Sequence, residues 1–171
     1  MRYLYILIII LAANIYANSY NKIELSETKK ELSYEILKKL EKEHYLRKID
    51  KNNLNSQYFE AIFDRLDENK NYFIANEVQK YLKKSKKNEV NNFDIELAYD
   101  LINLYFERLI EYSEFQINLI QTVDFDFTKD EYLDIFYEDN QWLTNFTDLK
   151  DLWRLETKND LLVAKISDSS S

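Results

Sequence analysis

Glycine, proline and cysteine are all absent from this chain of 171 residues. Average usage would place roughly 20 glycines and prolines in a chain of this length. Without glycine there is no GxGxxG dinucleotide fingerprint, no GxxxxGKS phosphate loop and no GxSxG nucleophile elbow. Each needs a backbone conformation or a close approach that a side chain obstructs. Without cysteine, disulfides, thiolate metal sites and cysteine nucleophiles are excluded. The single histidine, His44, cannot supply the two or three imidazoles of most catalytic zinc sites. No cofactor and no metal site are therefore expected. Basic residues number 23 against 31 acidic ones, a formal charge of −8. Loss of Arg2 with a presequence would take it to −9. A nucleic-acid partner is not expected, because affinity for phosphates rests on Lys and Arg.

What the chain does have is apolar and aromatic side chains. Hydrophobic residues make up 46%, with 14 Tyr, 10 Phe and 2 Trp, too many for a disordered segment. The length suits one domain. Residues 1–17, MRYLYILIIILAANIYA, place one positive charge at Arg2 before an apolar run from Tyr3 to Ala13 and a small residue at Ala17. This is the layout of a secretory signal peptide. The run is about 11 residues where a bilayer span takes about 20, so cleavage after Ala17 is expected rather than a retained membrane anchor.

The remainder reads as one all-α domain over residues 18–166, an irregular helical array around one long central helix, with a disordered tail at 167–171. Thr28 with Glu31 forms a TxxE capping box, and Leu32, Ile36, Leu40 and His44 line one face of a helix running to about Leu46. Asp50 opens a second helix whose stripe is Leu54, Tyr58, Ile62 and Leu66, widened by Phe59 and Phe63. DENKN is a polar turn, Tyr72, Phe73 and Ile74 form an apolar knot, and Asn76 caps a third helix to about Lys84. Phe93 to Gln121 carries the longest helical periodicity, including Leu97, Leu101, Leu109, Ile110, Ile117 and Ile120. VDFDF reads as an extended linker pinned by Phe125 and Phe127. Thr128 with Glu131 is a second capping box, expected to open a helix to about Tyr137, and a last helix holds Leu149, Leu152, Trp153, Leu161 and Leu162.

Chemistry is sparse. Asp67, Asn69 and Asn71 match the first, third and fifth places of a calcium loop, but Tyr72 stands where that loop needs glycine and Val78 where it needs a bidentate Glu. The expected reading is a polar turn. Asp124, Asp126, Asp130, Glu131, Asp134, Glu138 and Asp139 mostly alternate away from Phe125, Phe127, Leu133 and Phe136, the pattern of a solvated surface rather than an acid–base pair. Asn145, Phe146 and Thr147 form a sequon that matters only in a eukaryotic source. No catalytic, cofactor or metal residue is assigned.

The ordered string HYLRKIDKNNLNSQYFEAIFDRLDENKNYFIANEV, followed by NFDIELAYDLINLYFERL, VDFDF and LKDLWRLETKNDLL, resembles the amino-terminal helical domain of the periplasmic tail-specific proteases, the C-terminal-processing peptidases. The resemblance rests on His44, Tyr45, Leu66, Asp67, Tyr72, Phe73 and Glu77, and on Leu152, Trp153, Lys158, Asp160 and Leu162, over about Ser26 to Ile166. It implies a non-catalytic scaffold that helps form the substrate vessel, exported to the periplasm of a Gram-negative bacterium and not stably inserted in a membrane. Implied partners are PDZ and protease domains, which these residues do not contain, or an adaptor lipoprotein with helical repeats. The family's Ser-Lys dyad has no counterpart here. A truncated gene product or a detached module would both fit, and DNA beyond the codon for Ser171, or a separate gene nearby, would be expected to encode the PDZ-like and protease-like sequence. The rivals are an unrelated secreted helical interaction protein and a small hydrolase using His44 with a carboxylate.

Overall fold

A computed structural model describes residues 20–42, 54–87, 94–133 and 141–169. Every regular element among them is a helix: α1 (Glu27–Lys42), α2 (Leu54–Leu66), α3 (Ala75–Lys87), α4 (Ile95–Thr122) and α5 (Phe146–Ser169). The all-α expectation holds. The candidate presequence, His44, Tyr45, Asp50 and the 134–140 segment lie outside the described residues.

The long helix is α4, 28 residues or about 42 Å at 1.5 Å per residue. Asp94 starts it, its carboxylate accepting from the Leu97 amide at 3.0 Å and filling one of the donors left open at a helix start. It ends where Val123 turns extended at φ −109° and ψ 125°. The hairpin of α2 and α3 packs on its first half, and α5 on its second. Tyr112 lies near Glu156 and Phe115 near Trp153, so α4 and α5 run antiparallel.

Two cores result. Phe59 and Phe63 of α2, Phe73, Val78 of α3, and Leu97, Ala98 and Leu101 of α4 form the first, with Trp142 against its edge. Ile74, Leu149 and Trp153 form the second, with Phe115, Phe146 and Leu152 around them. Adjacent residues Phe73 and Ile74 enter different cores, because successive side chains of a non-helical, extended stretch point opposite ways. The apolar knot is thus the junction between them. Each fully buried large side chain contributes roughly 1.5–3 kcal/mol.

Several local expectations are corrected. Ser26, not Thr28, caps α1: its carbonyl accepts from the Lys30 amide at 3.1 Å, and its hydroxyl faces the Lys29 amide at 3.4 Å. The described part of the helix is Glu27–Lys42, with Thr28 already inside its first turn. Leu32 and Ile36 are 55% and 51% exposed, so these two positions of the α1 stripe meet no core among the described residues. In α2 the buried line is Phe59 and Phe63, with Tyr58, Ile62 and Leu66 only half-buried at its margins. Ile74, not Asn76, precedes the first turn of α3: Glu77 folds back to accept from the Ile74 amide at 3.2 Å, which does the work of a cap without a hydroxyl residue. Ile110, Ile117 and Ile120 of α4 are exposed. Thr128 opens no helix among residues 128–133, because Asp126 takes both its amide, at 2.9 Å, and its hydroxyl, at 2.7 Å, and holds a turn. The tail expected to be disordered is helical through Ser169, with the Ser167 hydroxyl donating to the Val163 carbonyl at 2.9 Å.

Candidate functional site

The polar centre of the molecule is the turn between α2 and α3. DENKN must reverse the chain within a few residues, and without glycine the left-handed position falls to Lys70 at φ 60°. Such a conformation costs a non-glycine residue about 1–3 kcal/mol. Contacts offset it: the Lys70 amide donates to the Asp67 carbonyl at 3.0 Å, its ammonium pairs with Asp64 at 3.0 Å, and the same ammonium lies 4.0 Å from the centre of the Trp142 ring.

Asp67, only 1% exposed, organises the rest of the turn. One carboxylate oxygen accepts from the Asn71 and Tyr72 amides at 2.6 and 3.1 Å. The other accepts from the Phe73 amide at 3.1 Å and from the indole N–H of Trp142 at 2.9 Å. Burial pushes this carboxyl above its ordinary value, and the four hydrogen bonds pull it partly back. The Ala75 amide donates to the Leu143 carbonyl at 2.8 Å, so residues 142–143 are tied to the turn by side chain and backbone alike.

Asn71 connects the turn to α5. Its carbonyl accepts from the Trp153 indole at 2.6 Å, and its amide group donates to Glu156 at 2.5 Å. The second oxygen of Glu156 accepts from the Tyr112 hydroxyl of α4 at 3.1 Å. Burial raises Glu156 first, opposed by those two hydrogen bonds and reinforced by Asp160 and Asp67. Burial and the nearby Glu156 hold the Tyr112 phenol well above its ordinary value.

Two ion clusters frame this centre. Arg108 of α4 pairs with Glu77 and, at 2.6 Å, with Glu111, and its guanidinium covers the Phe146 ring at 4.5 Å. Burial opposes the charge of Arg108, but Glu77 and Glu111 outweigh it and hold its pKa above the ordinary value. Glu131 pairs with Lys158 at 2.5 Å and Arg154 at 2.9 Å, clasping the segment after α4 onto α5. Lys158, then Arg154, lower its pKa to about 2. Between α4 and α5 lies a groove of about 580 Å³ whose walls include Arg108, Glu114, Phe115, Phe146 and Lys150.

The residues carrying the resemblance largely converge. Asp67, Tyr72, Phe73 and Glu77 build the turn; Trp153 is 0% exposed and bonded to it; Lys158 is buried against Glu131; Leu66 and Leu152 are half-buried at the two cores. Asp160 is exposed, and Leu162 is exposed at the edge of α5. The family model for the tail specific protease N-terminal domain matches residues 36–171. The chain belongs to that family. No curated protein matches it. In this tail specific protease N-terminal domain, then, the described strings that carry the resemblance meet at the joint between α2, α3, α4 and α5.

Motif reading missed four of the residues that matter. Trp142, Arg108, Glu131 and Asn103 act through partners 23 to 83 positions away in sequence, and no local spacing announces them. Asn103 is the one with a signal, a polar side chain buried within the apolar run of α4. It accepts from the Tyr20 hydroxyl at 2.7 Å and the Ile23 amide at 2.8 Å and donates to the Ile23 carbonyl at 3.1 Å. That anchors residues 20–23, which precede the family match. Glu131, grouped with a solvated acidic surface, is instead drawn inward, whereas Asp124, Asp126 and Asp130 are exposed as expected. Among the described residues, no group of three or more acidic or histidine side chains is placed to hold a metal ion.

Proposed function

We propose that this domain is the non-catalytic helical scaffold of a tail-specific protease, working in the periplasm as part of the vessel that admits substrate. One observation supports it above the rest. Asp67, the most buried acid of the shared strings, has both oxygens engaged by four donors, the arrangement of a structural pin rather than of a group that exchanges protons with substrate. Among the described residues no helix is long and apolar enough to cross a membrane. Partners on this reading are the family's PDZ and protease domains or a helical-repeat adaptor lipoprotein. Exposed Leu32, Ile36, Ile117, Ile120 and Val163 supply apolar surface of the kind that partners cover.

The test is incubation of the purified chain with unstructured polypeptides ending in apolar residues. They should remain intact. Cleavage that disappears in His44→Ala would overturn the reading and favour a hydrolase.

A further inference from the structure

The surface of α3 differs from the rest of the molecule. Four of its lysines are exposed within seven residues: Lys80, Lys83 and Lys84 lie opposite the side on which Val78 and Ser85 are buried, and Lys86 stands at its flank. Lys80, Lys83 and Lys84 stand at i, i+3 and i+4, so their ammonium groups share one side of the helix. Among the described side chains of α3, the others that are exposed are Asn76 and Gln79, both neutral. The helix's one acid, Glu77, is turned away to Arg108 and the Ile74 amide.

Several lysines elsewhere are ion-paired: Lys22 with Glu107, Lys30 with Glu96, Lys70 with Asp64, Lys129 and Lys158 with Glu131. On α1 the lysines are interleaved with Glu27, Glu31 and Glu35. Lys80, Lys83 and Lys86 form no ion pair among the described residues, and Lys84 only lies over the Tyr81 ring at 5.9 Å. A chain of net charge −8 thus concentrates uncompensated positive charge on one helix.

We propose that the lysine face of α3 is a docking surface for anionic lipid headgroups, holding the domain reversibly against a membrane. Charge complementarity selects an anion, and the chemistry of the face selects among anions. Protein interfaces are depleted in lysine and centre on aromatic or arginine anchors, and this face has neither at its centre. Lysine offers mobile point charges on long stems, which suit a fluid array of headgroups better than the fixed fork of arginine would. The net negative charge of the chain does not forbid the approach. Screening confines a membrane's field to about 8 Å at physiological ionic strength, so acids on the far side of the molecule do not feel it. Each lysine near an anionic bilayer strengthens binding roughly fivefold, and four together by a hundredfold or more.

Co-sedimentation of the purified full chain with vesicles tests this. One set is phosphatidylcholine alone and the other phosphatidylcholine mixed with phosphatidylglycerol. Binding is expected only to the mixed vesicles, abolished by high salt, and weakened about a hundredfold when Lys80, Lys83, Lys84 and Lys86 are all replaced by Gln. Replacement of the four by Arg should retain binding, and replacement of Lys38, Lys39 and Lys42 of α1 by Gln should retain it as well. Equal binding to both vesicle sets, no binding to either, or full binding by a folded quadruple Gln variant would overturn the proposal. Tighter binding to poly-glutamate or to a DNA duplex than to the mixed vesicles would overturn it too, assigning the face to a protein or nucleic-acid partner instead.

Discussion

Between Asp67 and Val78, an acid, a row of backbone amides and three large side chains close on one another and on two tryptophans from distant sequence. Between Glu27 and Lys42, 16 residues of equally regular helix leave Leu32 and Ile36 in solvent, and among the described side chains Lys30 pairs with Glu96 of the spine and the Lys29 ammonium lies over Tyr99. Both regions have apolar residues at helical spacing. Only the first has a buried polar group that several elements must satisfy together. Apolar periodicity makes a helix able to pack, whereas a shared hydrogen-bond acceptor determines where the pieces meet. Leaving a buried donor unsatisfied costs about 1–3 kcal/mol, so an arrangement that satisfies four at once is strongly preferred over its neighbours.

Breaking the turn should cost most. Trp153→Ala removes a fully buried ring and the donor to the Asn71 carbonyl, and a loss of about 3–5 kcal/mol is expected in chemical denaturation. Asp67→Ala strands three backbone amides and the Trp142 indole, for an expected loss of about 3 kcal/mol or more. Asp67→Asn, which keeps one acceptor oxygen, should fall between that variant and the parent chain. Leu152→Ala, at a half-buried position, should cost less than Trp153→Ala by thermal melting.

A titration sharpens the same contrast. The Glu156 carboxyl is raised above its ordinary 4.5, so its contribution to stability is fully present below that pH and is lost as pH rises through the higher folded value. Glu131 is lowered to about 2, so its contribution is present above 4.5 and lost as pH falls toward 2. Melting curves across pH should therefore lose part of their decline above 4.5 in Glu156→Gln, and part of their acid-side decline in Glu131→Gln. At the weak end, Leu32→Ala or Ile36→Ala on α1 should change global stability by no more than about 0.5 kcal/mol, as surface substitutions usually do.

The helices were legible because their apolar residues recur at the right period, and the long spine and the end of α2 fall close to where periodicity puts them. The side of each helix that is buried was less legible. In α2 the stripe through Tyr58 and Ile62 and the pair Phe59 and Phe63 are neighbours on the helix, and only the fit against Phe73 and Leu101 chooses the second. Caps failed where two residues competed: Ser26 precedes Thr28, and Asp126 captures Thr128 before Glu131 can box it. The strings that carry the resemblance were legible as strings. Their meaning was not, because Asp67, Trp142, Asn71 and Trp153 are joined by hydrogen bonds spanning 75 and 82 positions, which no local pattern encodes.

Native-state hydrogen exchange offers the most direct test of the claim that a buried acid, rather than apolar spacing, determines where the elements of this domain meet. The amides of Asn71, Tyr72 and Phe73 donate to Asp67 and should exchange only through global unfolding, while those of α1 exchange through local opening at much lower free energy. In Asp67→Ala the first group should fall to the level of the second. If the turn amides already exchange as fast as α1 in the parent chain, or keep their protection in Asp67→Ala, the account is contradicted.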